Sequence, residues 1–295
     1  MGRRSALAAL AGVLSAGFTG LAPCSGAAAA PRRTARPAHA DRPAHADRPA
    51  HADRPTGPRP PASLLGDEIR RLPTSRKALA LTFNAAWDDA GVATVLAELR
   101  RRKLPATFFL TGEFAEAEPA AVRAMADAGH GLGNHSYSHP YFDDLSTAER
   151  ADEVRDAHAA IRTASGTEPL PFFRFPYSST TPESIADVND LGYAAIEFSA
   201  DTNGYLGPEG GMSVDRAVRR AVDAFAPGAI IQMHVGSRAG GVVLDAEALP
   251  LIVDAARADG YEVIDLRQFL EAAPVRGFRG PTSAAVDTAA AAGAR

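Results

Sequence analysis

Between residues 72 and 270 the chain alternates short apolar runs with longer segments in which apolar residues recur every three to four positions. The short runs predict β-strands, and the longer segments predict amphipathic α-helices. The strands are predicted at 78–83, 106–110, 131–134, 172–175, 194–198, 229–233 and 261–265. The helices are predicted near 90–102, 116–128, 146–164, 182–191, 213–224 and 246–258. This alternation favours an α/β fold with a parallel sheet, either open or closed into a barrel.

Residues at the ends of the predicted helices agree with these boundaries. Ser146, with Glu149 three positions later, has the form of a capping box at a helix start. Gly129, Gly192 and Gly260 each follow a predicted helix and precede a predicted strand. Glycine is common at that position because it adopts the left-handed conformation that ends many helices.

Five polar residues stand at the carboxyl ends of predicted strands: Asn84, His135, Arg174, Asp201 and His234. Because the carboxyl ends of parallel strands lie at one edge of a sheet or barrel, these side chains are expected to meet in one cleft. Their convergence is the main reason that the pattern predicts an enzyme.

His135 and His139 lie four residues apart, directly after an apolar run. This spacing allows both imidazoles to face one cation, and imidazole is a preferred ligand of zinc and of other transition metals. The only cysteine is Cys24, so any further ligand must come from His, Asp or Glu. The pair predicts a divalent metal, zinc first with cobalt or nickel as alternatives, completed by water and an unidentified oxygen ligand.

The segments outside the α/β pattern predict export. Arg3 and Arg4 precede an apolar stretch and small residues, so residues 1–30 have the outline of a secretory signal peptide. Residues 31–61 repeat Arg-Pro-Ala-His-Ala-Asp and predict an extended linker, 62–274 a single domain, and 275–295 a disordered tail. Cys24 follows a lipoprotein-like box in which Pro23 replaces a small residue, so a lipid anchor is the alternative to secretion.

The charge distribution indicates which partners to expect. The net charge is −4, and since residues 31–61 carry +4 and Arg3 and Arg4 add +2, the remaining residues carry −10. An acidic domain is a poor binder of nucleic acid. The basic linker is expected to contact an anionic cell envelope, and the protein is expected to be a monomer.

Four sequence motifs resemble those of the polysaccharide deacetylase (NodB-homology) family, carbohydrate esterase family four. The segment from His135 to His139 resembles the family's His-Ser/Thr-x-x-His metal motif, and Arg174-Phe-Pro-Tyr177 resembles its Arg-x-Pro-Tyr motif. The stretch Ile-Gln-Met-His that ends at His234 resembles its late Leu-x-His motif. The Asp201 segment is similar to its fourth motif, although Gly-Tyr stands where the family has Asp-Trp.

This resemblance implies a distorted, seven-stranded (β/α) barrel and metal-dependent removal of acetyl groups from amino sugars. The substrate would be an N-acetylated envelope polysaccharide such as peptidoglycan or a chitin-like glycan, and the enzyme would be a hydrolase of non-peptide carbon–nitrogen bonds. By the same resemblance, His234 would protonate the leaving amine, Asp201 would hold its imidazole, and the Tyr177 amide would help to stabilise the oxyanion.

The first motif departs from the family. The family has Thr-Phe-Asp-Asp-Gly, in which the first Asp is the general base and the second binds the metal, whereas this chain has Thr-Phe-Asn84-Ala85-Ala. Asn84 cannot accept a proton and Ala85 cannot bind a cation. Asp88 and Asp89 are candidates to replace the missing ligand or base, and the alternative is that they cap the following helix. Because Asn84 is neutral, we expect Arg174 to pair with Asp201 or to contact substrate.

Aromatic residues near these motifs are candidates for sugar binding. Trp87, Tyr137 and Tyr205 each offer a ring face for a sugar, with packing in the core or at the rim as the alternative. The losses at Asn84 and Ala85 favour one rival function, a sugar-binding module on an inactivated scaffold. A second rival is a hydrolase of another amide or ester.

Overall fold

The computed structural model describes residues 59–237 and 242–270. The predicted signal peptide, Cys24, the predicted tail at 275–295 and all but the end of the predicted linker lie outside the described residues. The export, anchoring and domain-boundary interpretations therefore stay predictions. Within the described residues, none of the helices combines the length and the apolar character needed to span a bilayer.

The described residues alternate strands with helices, as the apolar pattern predicts. The strands are β1 (Ala78–Ala85), β2 (Thr107–Leu110), β3 (Gly131–Asn134), β4 (Phe172–Phe173), β5 (Ala194–Ala195), β6 (Ala200–Asp201), β7 (Ala229–His234) and β8 (Glu262–Val263). The helices are α1 (Val92–Arg102), α2 (Gly112–Ala117), α3 (Pro119–Asp127), α4 (Thr147–Ser165), α5 (Pro182–Asp190), α6 (Val214–Val222) and α7 (Leu244–Ala258). Single turns of 3₁₀-helix lie between several of these elements.

The strands form one curled parallel sheet. Seven of them follow the order β5-β4-β3-β2-β1-β7-β6, and β8 pairs with the first residues of β1. The segment before β1 contacts both sides of the curled sheet, because Ile69 bridges to Ile196 next to β5 and Arg71 bridges to Ala229 in β7. The curled arrangement confirms the predicted α/β barrel of the polysaccharide deacetylase type.

The alternation of side chains along β1 separates two apolar layers. Leu79, Leu81 and Phe83 pack in the larger cluster with residues of the surrounding helices. Ala78 and Ala80 point the other way and pack with Phe109, Phe172 and Ile230 inside the curled sheet. Since Asn84 is an even step from Ala80, its side chain belongs to the interior face, at the carboxyl end of the strand.

The structure corrects several predicted boundaries. The helix predicted at 116–128 is two helices, because Pro119 lacks an N–H group and begins a new helix. The fourth, fifth and seventh strands are shorter than predicted, and β6 was not predicted. The capping box at Ser146 is confirmed. Gly129, Gly192 and Gly260 all have positive φ, as expected for residues that end helices.

Candidate active site

Parallel pairing brings the predicted polar residues to one edge of the sheet. Asn84 at the end of β1 stands directly opposite His234 at the end of β7. His135 follows β3, Arg174 follows β4, and the Arg174 N–H donates to the carbonyl of Asn134. The predicted convergence of strand ends is therefore present in the structure.

A closed circuit of hydrogen bonds forms the floor of this edge. Arg174 Nη1 donates to Asn84 Oδ1 (3.0 Å), Asn84 Nδ2 donates to His135 Nε2 (3.1 Å), and His135 Nδ1 donates to the Arg174 carbonyl oxygen (2.8 Å). All three residues are buried. The donors and acceptors are consistent, because a guanidinium only donates and a neutral imidazole has one donor and one acceptor nitrogen. This set is called the Arg174–Asn84–His135 circuit below.

Arg174 is the centre of the surrounding hydrogen bonds. Its Nε donates to the Ile196 carbonyl (3.0 Å), Nη1 also donates to Thr82 Oγ1 (3.1 Å), and Nη2 donates to the Glu197 carbonyl (3.1 Å). Burial lowers the pKa of Arg174 to about 10, although Glu197 and Asp201 oppose the shift, so the side chain is charged at neutral pH. The prediction that Arg174 pairs with Asp201 is wrong: none of its hydrogen bonds in the described part of the chain reaches that carboxylate.

Glu197 holds the turn that carries Tyr177. Its carboxylate accepts from the Phe175 N–H (3.0 Å) and from Ser178 Oγ (2.8 Å), and burial raises its pKa. Between these two contacts Tyr177 and Ser178 adopt positive φ angles of 59° and 51°. Sequence reasoning did not identify Glu197, although a glutamate inside a predicted buried strand was a signal.

The two histidines of the predicted metal motif lie together. The ring centroids of His135 and His139 are 4.7 Å apart and nearly perpendicular. Burial, reinforced by the neighbouring His139, lowers the pKa of His135 well below its ordinary value, and burial lowers the pKa of His139 to about 4. Both rings are therefore neutral at pH 7. The buried Glu153 of α4 fixes the loop between them, since one of its oxygens accepts from the N–H groups of Tyr137 and Ser138 (both 2.8 Å).

The residues present do not fit a complete metal site. The Nε2 lone pair of His135, which a cation would need, already accepts a hydrogen bond from Asn84. Ala85 is buried and offers no ligand atom. Across residues 59–237 and 242–270, no group of three or more His, Cys, Asp or Glu side chains is placed to hold an ion. The predicted zinc ligands are brought together, but the predicted oxygen ligand is not found.

Asp88 and Asp89 do not supply the missing ligand. Asp88 accepts from the Ala90 N–H (3.0 Å) and from the Ser237 N–H (3.1 Å), so its carboxylate closes a turn and ties down the loop after β7. Asp89 is exposed. The capping interpretation is also wrong in detail, because α1 has Gly91 at its N-cap with no side-chain cap and no acidic residue in its first turn.

His234 lies between two carboxylates. Its Nδ1 is 3.8 Å from Asp201 Oδ1 and 3.7 Å from Asp245 Oδ2. Asp201 stabilises a turn, because its Oδ1 accepts a hydrogen bond from the Asn203 N–H (2.8 Å). Its Oδ2 accepts from Gln232 Nε2 (2.9 Å). Asp245 is fully buried in the first turn of α7 and accepts from the His234 N–H (2.8 Å). Sequence reasoning missed Asp245.

Aromatic rings stand at both sides of the floor. On one side Trp87, 43% exposed, stacks on Tyr205 (5.2 Å) and on His234 (5.8 Å), which we call the tryptophan wall. On the other side Tyr177, 56% exposed, stacks on Tyr141 (4.0 Å) and touches His139 edge-on (4.6 Å), which we call the tyrosine wall. The two walls and the floor form a continuous row of contacting residues.

Tyr137 does not belong to this surface. It is buried, its hydroxyl donates to Glu116 (2.7 Å), and its ring lies so close to Gly112 that a Cβ there would be 2.1 Å from it. Its predicted role in substrate binding is therefore wrong, and the alternative of core packing is correct. Trp87 and Tyr205 do lie beside His234, as a substrate-binding role requires.

A concave surface lies at the opposite edge of the sheet. It has a volume of about 620 Å³ and lies between α1 and α3, where Leu96, Lys103 and His130 are among its lining residues. None of the predicted site residues lines it. The predicted site residues lie at the carboxyl ends of the strands, away from this groove.

Comparisons with known proteins identify relatives of this chain. Residues 71–196 match the family profile described as polysaccharide deacetylase. A chitooligosaccharide deacetylase of Bradyrhizobium sp. (strain ANU 289) is 31% identical over 201 residues, which are 65% of this chain and 90% of that protein. A peptidoglycan-N-acetylglucosamine deacetylase of Bacillus cereus is 26% identical over 204 residues, which are 69% of this chain and 72% of that protein.

Among solved structures, a carbohydrate esterase family four pseudoenzyme from Bacillus anthracis superposes with a TM-score of 0.63 and 26% identity, over 70% of this chain and 69% of that one. A mutant of that pseudoenzyme, described as having restored enzymatic activity, matches with the same TM-score and identity over 72% of its chain. The fold is thus shared by proteins named as deacetylases and by one named as a pseudoenzyme.

Proposed function

The chain belongs to the polysaccharide deacetylase family, and on that basis we propose that the protein is a carbohydrate deacetylase, a hydrolase of the acetamido carbon–nitrogen bond of amino-sugar glycans. The observation that carries this proposal is the convergence of the Arg174–Asn84–His135 circuit and His234 at one edge of the sheet, flanked by the tryptophan wall and the tyrosine wall. Aromatic faces suit the apolar face of a sugar ring. The chitooligosaccharide and peptidoglycan substrates of the relatives support N-acetylated envelope glycans as the substrate class.

In this proposal the chain's own residues bind the glycan and move one proton. A water oxygen forms a bond to the acetyl carbon and gives its proton to bulk water, the carbon–nitrogen bond breaks, and acetate leaves together with the amine. His234 gives a proton to the amine nitrogen, and Asp245, which holds its backbone, lies with Asp201 on the Nδ1 side of the ring. The Tyr177 turn, held by Glu197, is the candidate for stabilising the oxyanion.

The floor provides little help in activating water. Asn84 cannot accept a proton, and the depressed pKa values of His135 and His139 make their imidazoles weak bases. A positioned general base contributes about 10²–10⁴-fold to a rate. We therefore expect deacetylation by this protein to be slower by about that factor than by a relative with an aspartate at the position of Asn84. The proposed hydrolysis is written without a bound metal, because the described residues do not complete a site for one.

A second candidate function is glycan binding without hydrolysis. It is favoured by the Asn84–His135 hydrogen bond and by the similarity to the Bacillus anthracis pseudoenzyme. In that case the two aromatic walls retain the glycan and His234 serves only as a packing partner of Trp87.

Acetate release from N-acetylated chitooligosaccharides and from peptidoglycan tests the two candidates on the same samples. A deacetylase releases acetate above the level of a His234→Ala variant, whose remaining fold is checked by circular dichroism. A binding protein shifts NMR signals on addition of glycan and releases no acetate above that background. A protein that neither releases acetate nor binds glycan would have neither function.

We further propose that the protein works outside the cytoplasm, with its basic linker against the anionic envelope. The Arg-rich repeats of residues 31–61 and the signal-like residues 1–30 support this location. Mass spectrometry of the mature protein from a cell-envelope fraction tests it. An intact N-terminus in a cytoplasmic fraction would contradict it.

A further inference from the structure

Hydrogen bonds among Arg174, Asn84 and His135 hold the floor of the site together. Three hydrogen bonds of 2.8–3.1 Å close the Arg174–Asn84–His135 circuit, and every member of it is buried. We infer that the Asn84 amide occupies the coordination position of His135 and thereby excludes divalent cations from the pair of imidazoles. This inference concerns the cation alone and does not depend on whether the protein hydrolyses a glycan.

Arg174 prevents Asn84 from turning its oxygen toward His135. The guanidinium is anchored by the Ile196 and Glu197 carbonyls and stacks on Phe109 at 3.9 Å, so it keeps its position. Since it only donates, it requires Asn84 Oδ1 on its own side. A turn of the amide by 180° would place an NH₂ group against a donor and an oxygen against the His135 lone pair, and both contacts are repulsive.

His135 is equally fixed. Its Nδ1–H donates to the Arg174 carbonyl at 2.8 Å, which leaves Nε2 as the one nitrogen with a lone pair. A cation could bind there only after the Asn84 amide had been displaced and left buried with an unsatisfied donor. A loss of about two buried hydrogen bonds corresponds to binding that is weaker by about 10²-fold.

The neighbouring positions do not compensate for this loss. Ala85, next to Asn84, is buried and has no ligand atom. Within residues 59–237 and 242–270, no third His, Cys, Asp or Glu completes a cluster with the two imidazoles. A cation that failed to displace Asn84 would have the single imidazole of His139, which is too few ligands for retention at neutral pH.

The test is zinc binding to the full chain, read at His135 itself. The linker carries three further imidazoles, at His39, His45 and His51, so total metal content would not report on His135 alone. The ¹⁵N signals of the His135 and His139 rings are followed by NMR as zinc is added up to one equivalent, and isothermal titration gives the affinity. For the wild-type protein we expect neither set of ring signals to shift.

Two variants remove the amide donor in different ways. Asn84→Ala deletes it, and Asn84→Asp keeps the shape and the contact with Arg174 while replacing the N–H group by an acceptor oxygen. Each is expected to bind zinc at His135 about 10²-fold more tightly than the wild type, and a further His135→Ala change should abolish that gain. Thr107→Val is the matched control, since Thr107 is buried in β2 and none of the described residues forms a hydrogen bond with its hydroxyl.

The inference is overturned if the wild-type protein binds one zinc ion with shifts at both imidazoles. It is equally overturned if Asn84→Ala and Asn84→Asp bind zinc no more tightly than the wild type or the control. If Asn84→Ala fails to fold, the wild-type titration and the isosteric Asn84→Asp variant still decide. Acetate release is measured separately, so failure of the deacetylase proposal would be seen independently of zinc binding.

Discussion

Arg174→Lys is expected to destabilise the protein by about 2–6 kcal/mol although the positive charge is kept. The guanidinium donates to four oxygens that belong to Thr82, Asn84, Ile196 and Glu197. A lysine carries all its donors on one nitrogen, so it leaves at least two of these buried acceptors without a partner. Each such loss costs about 1–3 kcal/mol, and the planar contact with Phe109 is lost as well.

Urea unfolding followed by circular dichroism and by fluorescence measures this change. Trp87 is the only tryptophan and lies beside the site, so its fluorescence reports on the same region. Arg155→Lys is the matched control, because Arg155 forms a long ion pair of 3.8 Å with Asp152, whose side chain is 65% exposed, and it should change stability by less than about 0.5 kcal/mol. A loss below about 1 kcal/mol in Arg174→Lys would show that the guanidinium bonds contribute little in solution.

Three further predictions follow from the site. Burial lowers the pKa of His139 from 6.5 to about 4, so the stability that the neutral ring provides above pH 6.5, at most about 3 kcal/mol, should be lost as the pH falls toward 4. His139→Gln should show a smaller loss between pH 7.5 and 4.5, and an equal loss would contradict this. Gly204→Ala places a Cβ 2.2 Å from Asp245 Oδ1 and should lower the free energy of unfolding by about 1–3 kcal/mol, measured by thermal unfolding. Unfolding at the wild-type temperature would contradict this clash. Trp87→Ala should weaken chitooligosaccharide binding about tenfold in NMR titrations, whereas unchanged affinity would remove the tryptophan wall from the binding surface.

The order of elements could be predicted from the sequence because buried parallel strands are nearly continuous apolar runs. The ends of the strands could not be predicted, because an apolar residue can be buried by side-chain packing without pairing in the sheet. Phe175 is buried against Phe142 and Phe173 by side-chain packing, although β4 ends at Phe173. β6 escaped prediction because it has two residues and neither is fully buried.

Most residues of the site could be predicted from the sequence, but the residues that hold them through hydrogen bonds could not. The strand-end rule placed Asn84, His135 and His234 together because it depends only on parallel pairing. Glu197 and Asp245 were missed because their roles depend on which backbone N–H groups lie within 3 Å of them. No local pattern encodes contacts of that kind between distant segments.

The Arg174–Asn84–His135 circuit also explains why motifs of the family persist around a substituted first motif. Asparagine has the shape of aspartate and can accept from Arg174 as aspartate does, so the bond survives while the negative charge is lost. The charge of the buried Arg174 is then offset chiefly by Glu197, whose carboxylate also fixes the Tyr177 turn. His135 in turn stabilises the fold through its two hydrogen bonds. Arg174 and His135 thus have structural roles that are independent of hydrolysis, so their presence supports the fold more strongly than it supports the reaction.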